Sequence, residues 1–363
     1  MFGNWKIIYY LWCLDNEHNT EISIISYFQW AVVSLTIVIN ALRKQNYFTN
    51  RIEMKNANNK MYSAEPVSMD KVINIAIEKL AKISNDPSGL SGIPSGFHEL
   101  DQLTSGWQDG NVIVVAGRPS MGKTSFATSM LKYIAVGKST PCVYFCLETK
   151  AREVANRLIA NYSDIPISGL MSGRLSPGDW EKFDKFTQEI STAPIYLDDQ
   201  TFDIDQICDG IRNMVEHNNA RIATIDYIQL IQTPFKISAN FTRNDELAYI
   251  MHSFKALAKE LNIPIIVLSQ MNRYFENRDQ SFYNLPQLTD LRESGTIEDD
   301  ADIVIFIHRP EYYHFYSDEK GNDMRGIAQI IIAKHRMGYT GQLSLKFEAK
   351  FARFSDIPKG DFF

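Results

Sequence analysis

The chain has 363 residues, 45% of them hydrophobic and 22% charged, which is typical of a globular protein with a large core. The length suggests one large domain and a smaller N-terminal part. The formal net charge is −6, so no overall basic character indicates nucleic acid, and binding of nucleic acid would need local patches. The four cysteines form no C-x-x-C pair and no His/Cys metal spacing, which fits a reducing compartment; they are Cys13, Cys142, Cys146 and Cys208.

The first 65 residues differ in texture from the rest of the chain. The stretch "ISIISYFQWAVVSLTIVINAL", residues 22–42, carries no charge and is close to the ~20 residues that a membrane span needs. Its polar residues fall on one side of a helical wheel, which favours a half-buried helix; they are Ser26, Gln29, Thr36 and Asn40. We therefore expect residues 1–65 to be a divergent segment, helical or partly disordered, with membrane attachment as the weaker alternative.

Residues 66–90 are predicted to form a linker helix and a linker. In "MDKVINIAIEKLAKIS" apolar residues recur at steps of three and four, the spacing of one helix face; they are Met69, Ile73, Ala76, Leu80 and Ile83. Such a helix must bury its apolar face on another surface. The stretch "NDPSGLSGIPSG" then breaks the chain with repeated Gly and Pro.

From Asn111 onward, apolar strand-like runs alternate with helix-like segments. "NVIVVAG", "PCVYFCLE", "APIYLDD", "RIATIDYIQLI" and "IPIIVLSQ" read as strands, and amphipathic segments separate them. Continuous apolar strands between helices predict an α/β fold, with a mostly parallel sheet covered on both faces. After "ADIVIFIHR" strand follows strand, in "GIAQIIIAKHR" and "GQLSLKFEAKFARF", which predicts an antiparallel extension at one edge.

The stretch "GRPSMGKT" fits the phosphate-loop pattern G-x-x-x-x-G-K-[ST], and it follows a predicted strand and precedes a predicted helix. In this motif backbone N–H groups wrap the phosphates at a helix N-terminus. Lys123 is expected to reach the β- and γ-phosphates, and the Thr124 hydroxyl to ligate Mg²⁺. The other residues of the predicted nucleotide-binding loop are Gly117, Arg118, Pro119, Ser120, Met121 and Gly122.

Three polar residues end neighbouring apolar strands, where an open parallel sheet binds its ligands. Asp226 is expected to hold Mg²⁺, and Gln270 to hydrogen-bond the γ-phosphate and report its loss. Glu148 is expected to orient the attacking water or accept its proton. The alternative for Glu148 is a solvated strand end or a cap for the helix that starts near Ala151.

Several other stretches are open to two interpretations. The long stretches after Asp226 and Gln270 mix cations with aromatics, which suits single-stranded nucleic acid as well as an ordinary surface loop. The run "EDDAD", Glu298 to Asp302, is interpreted as a solvated turn rather than a metal cage. Finally, Lys334 and Arg336 point to the same side of a strand end and need anions nearby.

Taken together, "GRPSMGKTSFA", "FCLET", "IDYIQLI", "DLRESGTIEDDADIVIFIHR" and "IIIAKHRMGYTGQLSLKF" resemble the C-terminal motor of DnaB-type replicative DNA helicases. The resemblance covers about Ser91 to Asp356, and "DLRESG" and the Lys-x-Arg strand end are its most restricted motifs. It implies a RecA-like fold over residues 91–363, using ATP and Mg²⁺. It also implies a hexameric ring that encloses single-stranded DNA at the replication fork and moves 5′ to 3′ on ATP hydrolysis.

The resemblance also implies roles for residues that the strand pattern leaves open. Arg292, Glu293 and Gly295 correspond to the loop that meets the DNA backbone in the central channel. Arg336 corresponds to an arginine finger, with Lys334 as its companion. Both would reach the phosphates bound at Lys123 of the neighbouring subunit.

The chain departs from the family's pattern before the linker helix, where residues 1–65 do not match the usual all-helical domain. That puts a primase contact in doubt and leaves a helicase loader as an open partner. Two alternatives to a helicase remain: a RecA- or RadA-like recombination ATPase, and a truncated paralogue that binds ATP or DNA and regulates a full-length helicase. The expected location is a bacterial cytoplasm or an organelle stroma or matrix.

Overall fold

The computed structural model describes residues 66–85, 88–233, 242–272, 285–291 and 295–358. The segment predicted for residues 1–65, including the alternative of a membrane helix at 22–42, lies outside the described residues. Within the described ranges, no helix has both the length and the apolar character to cross a membrane.

Helix α1 spans Met69–Asn85, in the segment predicted to be a linker helix. Its larger apolar side chains are exposed, among them Ile73, Ile75, Ile77 and Leu80. The chain divides into two compact units. One ends at Lys79 and the other begins at Leu80, so the division falls within this helix. The boundaries proposed at residues 65 and 90 stay a prediction.

A single nine-stranded sheet organises the second unit. Its strands are β1 (Val112–Gly117), β2 (Cys142–Cys146), β3 (Ile195–Asp198), β4 (Ile222–Asp226), β5 (Ile265–Gln270), β6 (Ile303–His308), β7 (Ile327–His335), β8 (Gly341–Glu348) and β9 (Arg353–Asp356). Their order is β3-β2-β4-β5-β1-β6-β7-β8-β9. The first six in that order pair in parallel and the last three add antiparallel, which confirms the predicted fold class.

Helices cover the sheet, and apolar side chains on its two faces form two separate core clusters. The helices are α2 (His98–Thr104), α3 (Lys123–Leu131), α4 (Ala151–Ser163), α5 (Ile167–Ser172), α6 (Pro177–Ser191), α7 (Ile204–Asn218), α8 (Arg243–Leu261) and α9 (Gly295–Asp300). Three cysteines are buried free thiols, and burial raises the pKa of each to about 12; they are Cys142, Cys146 and Cys208. Cys142 and Cys146 are thus core residues.

The strand register decides which residues can meet. The carboxyl ends of β1, β2, β4 and β5 share one edge, because Gly117 lies opposite Gln270 and Cys146 lies opposite Asp226. Strand β7 runs the other way and ends beside the start of β6, with His335 opposite Ile303. The phosphate-loop edge and the β7 end are therefore on opposite edges of the sheet.

Candidate active site

The phosphate loop connects the end of β1 to the start of α3 at Lys123. Gly122 has a φ of +95°, and a Cβ at this position would lie 3.0 Å from the Phe354 ring, so both conformation and space require glycine. The loop leads into a nine-residue helix, whose N-terminal N–H groups favour an anion.

The Lys123 side chain is folded back onto this loop. Its ammonium donates to the carbonyl oxygens of Gly117 at 3.0 Å and Arg118 at 3.3 Å. Burial lowers the pKa of Lys123, while the carboxylates of Asp226 and Glu148 oppose that shift. A buried cation that donates to loop carbonyls is well placed to exchange them for phosphate oxygens.

The Asp226 carboxylate is buried at the end of β4, with 1% of the residue exposed. Its Oδ2 accepts hydrogen bonds from Thr124 Oγ1 at 2.7 Å and from the Tyr144 hydroxyl at 2.9 Å. Its Oδ1 is buried, and no described residue forms a hydrogen bond with it. An orphaned carboxylate oxygen beside a threonine hydroxyl fits a hard cation such as Mg²⁺, which takes one or two protein oxygens together with substrate phosphates. Burial raises the pKa of Asp226, and the two hydroxyl donors counteract that rise.

Glu148 follows β2 and is held close to Asp226 through the backbone. The N–H groups of Leu147 and Glu148 donate to the Asp226 carbonyl oxygen at 2.8 and 3.2 Å. The Glu148 side chain is exposed. Partial burial, followed by the Asp226 charge, raises its pKa, while Lys123 and Arg157 pull it down.

In the structure, Glu148 does not cap α4, the helix that it was alternatively expected to cap. The first N–H of α4, at Ala151, donates instead to Asp199 Oδ2 at 3.0 Å. Asp199 follows β3, the neighbouring strand on that side of the sheet. The other alternative, a solvated strand end, agrees with the exposure of the Glu148 side chain, so the catalytic role of Glu148 stays a prediction.

Gln270 ends β5, directly opposite Gly117 in the parallel register. The side chain of Gln229 clamps it: the Gln270 N–H donates to Gln229 Oε1 at 3.2 Å, and Gln229 Nε2 donates to Ser269 Oγ at 2.9 Å. Arg243, at the start of α8, donates to the Gln229 carbonyl oxygen at 2.7 Å. The candidate phosphate sensor is therefore tied to the segment that follows Asp226.

Lys334 and Arg336 lie at the opposite edge, away from the Lys123 of their own chain. Ile113 is level with Ile303, which is level with His335. Gly117 lies four residues further along β1, a distance of about 13 Å at ~3.3 Å per residue. A phosphate on this chain's own loop is therefore out of reach of Arg336.

The anions that these two cations need are supplied within the chain. Lys334 Nζ donates to the Glu298 carbonyl oxygen at 2.5 Å, and Arg336 bonds the carbonyl oxygen of Asp299. Arg336 Nη1 also lies 3.3 Å from Asp302 Oδ1. The solvated turn expected for "EDDAD" is therefore wrong, because α9 extends to Asp300 and Asp302 is buried with 6% exposure.

Asp302 is the centre of this cation cluster. Its Oδ2 accepts from Lys255 Nζ at 2.5 Å and from the Val112 N–H at 2.8 Å. The Lys255 and Asp302 side chains are only 12% and 8% exposed. Buried charges of this kind are retained in proteins when they are paired and hydrogen-bonded.

The predicted DNA-contacting residues are only partly described. Arg292 and Glu293 lie outside the described residues, as do 234–241 and 273–284 of the two long stretches. Gly295 is the first residue of α9. The predicted roles of Arg292, Glu293 and Gly295 stay predictions.

Sequence reasoning missed three residues at this site: Tyr144, Arg157 and Gln229. Strand alternation could have found Tyr144, because it shares a side of β2 with Cys146 and leads to Glu148. Arg157 acts on the charges of Glu148 and Asp226 from within α4, a relation that needs the folded chain.

Comparisons with known proteins agree with this geometry. A family model for the DnaB-like helicase C terminal domain matches residues 92–356. The chain is 36% identical over 327 residues to a probable replicative DNA helicase of Trieres chinensis, covering 89% of this chain and 68% of that protein. It is also 36% identical over 283 residues to the replicative DNA helicase DnaB of Geobacillus stearothermophilus, covering 78% of this chain and 60% of that protein.

Solved structures show the same relationship. A structure described as an ATPase domain matches with a TM-score of 0.72 and 32% identity, covering 81% of this chain and 100% of that one. A DnaB-like replicative helicase, described with its interactions with primase, matches with a TM-score of 0.69 and 30% identity, over 92% of this chain and 78% of that one. The resemblance found in the sequence is confirmed: the chain belongs to the family of replicative DNA helicases that share the DnaB-like C-terminal domain.

Proposed function

We propose that this chain is the motor of a replicative DNA helicase that hydrolyses ATP with Mg²⁺ and moves 5′ to 3′ along single-stranded DNA as a hexameric ring. One observation carries the proposal: Lys123, Thr124, Glu148 and Asp226 gather at one edge of the sheet, while Arg336 lies at the other. Half of a hydrolysis site at each edge suits a ring in which neighbours complete each other's sites.

At the first edge, Lys123 exchanges the carbonyls of its own loop for the β- and γ-phosphates. Thr124 and Asp226 would hold Mg²⁺, which when bound neutralises charge that develops on the phosphates. Glu148 orients the attacking water and accepts its proton, and its raised pKa brings it closer to the working pH. Gln270 hydrogen-bonds the γ-phosphate, and Gln229 carries the loss of that contact towards α8.

At the second edge, Arg336 and Lys334 reach the nucleotide of the neighbouring subunit. The Arg336 side chain is 41% exposed, so part of the guanidinium is open to a second chain while Asp302 holds the rest. Arginine has five N–H donors in a planar fork, which allows both contacts at once. A finger supplied in trans makes hydrolysis conditional on assembly.

Single-stranded DNA is the proposed occupant of the ring, contacted by Arg292, Glu293 and Gly295. Helix α9 begins at Gly295, and carbonyls near its end hold Lys334 and Arg336. This connection supports stimulation of hydrolysis by DNA, because one short helix joins the DNA segment to both cations. Affinity for DNA is expected to fall with salt in proportion to the phosphates neutralised.

A helicase loader and primase are the candidate protein partners. One solved relative was determined with its interactions with primase. A primase contact needs a separate binding assay here, because residues 1–65 do not resemble the domain expected to make it. The proposed location is a reducing compartment, a bacterial cytoplasm or an organelle stroma or matrix.

The test combines three measurements on the full chain: ATP hydrolysis with and without single-stranded DNA, native mass, and unwinding of a forked duplex. The proposal expects DNA-stimulated hydrolysis, a hexamer, and unwinding that requires a 5′ single-stranded tail. A monomer without DNA-stimulated hydrolysis contradicts it and favours a regulatory paralogue. Filaments that pair homologous strands favour a recombination ATPase instead.

A further inference from the structure

The Tyr144 hydroxyl is the second donor on the carboxylate that is proposed to hold Mg²⁺. Tyr144 lies in the middle of β2, is fully buried, and donates to Asp226 Oδ2 at 2.9 Å. Thr124 donates to the same oxygen at 2.7 Å. Two donors on Oδ2 fix the plane of the carboxylate, and within the described part of the chain Oδ1 is left without a partner.

The orientation of Asp226 in turn decides the orientation of Thr124. A threonine hydroxyl has one proton and two lone pairs. When the proton points at Asp226 Oδ2, the lone pairs point elsewhere and can ligate a cation. If the carboxylate rotates, the Thr124 proton loses its acceptor and is free to turn towards the metal position.

From this chain of contacts we propose that Tyr144 is a positioning residue for the Mg²⁺ site, acting through Asp226 on Thr124. The inference rests on the proposed function, because it deepens the assignment of Asp226 and Thr124 as the metal-holding pair. The hydroxyl supplies the proton of this hydrogen bond, because the carboxylate oxygen of Asp226 accepts it.

A purely structural role for Tyr144 makes a different prediction. Its ring fills space in the core beneath the phosphate-loop edge, as a phenylalanine ring would. If packing were its whole contribution, then Tyr144→Phe would leave metal binding unchanged. Removing the hydroxyl alone therefore separates the two roles with little disturbance of the core.

The experiment measures binding of Mn²⁺, as a spectroscopic substitute for Mg²⁺, by electron paramagnetic resonance in the presence of a non-hydrolysable ATP analogue. Groups that orient metal ligands typically change metal affinity by about 10- to 100-fold, so Tyr144→Phe is expected to weaken Mn²⁺ binding by about tenfold. Binding of the analogue in excess EDTA is expected to be unchanged, because Lys123 and the loop do not depend on Tyr144.

Tyr162→Phe is the matched control. Its hydroxyl also donates to a carboxylate, Glu189 Oε2 at 2.6 Å, but the pair joins α4 to α6 on the exposed surface. This variant loses the same atom and is expected to bind Mn²⁺ like the unaltered chain. A melting curve of each variant reports any loss of folded protein.

Three results would overturn the inference. The first is an unchanged Mn²⁺ affinity in Tyr144→Phe, and the second is no Mn²⁺ binding in the unaltered complex. The third is an equal loss of analogue binding with and without metal, which indicates a general disturbance. Because no turnover is measured, failure of the chain to unwind DNA would count against the proposed helicase but would leave this result valid.

Discussion

The two edges of the sheet differ in how their charged groups are satisfied. At the phosphate-loop edge, Asp226 Oδ1 and Arg157 Nε are buried and have no hydrogen-bond partner among the residues that the structure describes. At the opposite edge, both cations are bonded: Lys334 to a carbonyl of α9, and Arg336 to Asp302 and to Asp299. Buried polar groups are normally paired. At the second edge the ring nitrogen His335 Nδ1 also has no partner among the described residues, so the contrast lies in the charged groups: a carboxylate and a guanidinium are incompletely bonded at the first edge, and both cations are bonded at the second.

The difference separates two tasks. The first edge has groups that can still bind phosphate, metal and water, which fits a site that binds and reacts. At the second edge, the buried pair of Lys255 and Asp302 holds Arg336 in place and leaves part of its side chain exposed. One edge therefore has groups that fit a ligand, and we propose that the other supplies a preorganised group to the ligand of a neighbouring subunit.

The largest expected effect comes from removing the exposed group of the second edge. Arg336→Ala should lower ATP hydrolysis by about 10³- to 10⁵-fold in assembled protein, because the trans charge on the phosphates is lost. Binding of ATP should stay close to normal, since Lys123 and the loop are untouched. Steady-state hydrolysis and nucleotide titration together check this.

Arg325→Ala is the control for that change. Arg325 is also an exposed arginine paired with an aspartate, Asp323, and it lies two residues before the start of β7, away from Arg336 at the end of that strand. Its removal should leave hydrolysis unchanged. Equal loss of activity in the two variants would contradict the role given to Arg336.

At the first edge, Glu148→Gln should lower hydrolysis by about 10²- to 10⁴-fold, the usual contribution of a general base. The pKa of Glu148 is raised by partial burial and by Asp226. A base works when deprotonated, so activity should fall as the pH drops through a value above the ordinary 4.5 of a glutamate. The rate of a single turnover as a function of pH measures this, and Glu148→Gln should lack that acidic limb.

The buried ion pair that holds Arg336 in place can be removed by substitution. Lys255→Met leaves Asp302 with one cation fewer in a buried site, and removing one partner of a buried pair costs about 3–5 kcal/mol of unfolding free energy. Chemical denaturation measures the loss. The control is Arg325→Met, which breaks an exposed ion pair and should give no measurable change. Similar stability of the two variants would show that Lys255 and Asp302 do not form a buried ion pair that stabilises the fold.

Most of the residues at the first edge could be predicted from the sequence. The glycine pattern of the phosphate loop and the polar ends at Glu148, Asp226 and Gln270 are local signals, and the parallel sheet brings them together by rule. Strand alternation places Tyr144 on the same side of β2 as Glu148, but the contact of its hydroxyl with Asp226, across β2 and β4, is visible only in the folded chain.

The second edge was far less predictable. The need of Lys334 and Arg336 for anions could be read from the strand end, and the resemblance pointed to a neighbouring chain. Their partners within the chain could not be predicted from the sequence. Asp302 lies 34 residues from Arg336, and a backbone carbonyl is present at every residue, so it gives no sequence signal. The acidic run that contains Asp302 predicts a solvated turn, because charged side chains usually stay in water.

Complementation between two inactive variants tests the central claim most directly. Lys123→Ala subunits lack the phosphate-binding cation, and Arg336→Ala subunits lack the finger, so each alone should hydrolyse little ATP. When they are mixed and native mass confirms joint rings, an intact loop can face an intact Arg336 from the other variant, and hydrolysis should return in part. Mixed rings that stay as inactive as either variant alone would contradict a site shared between two subunits.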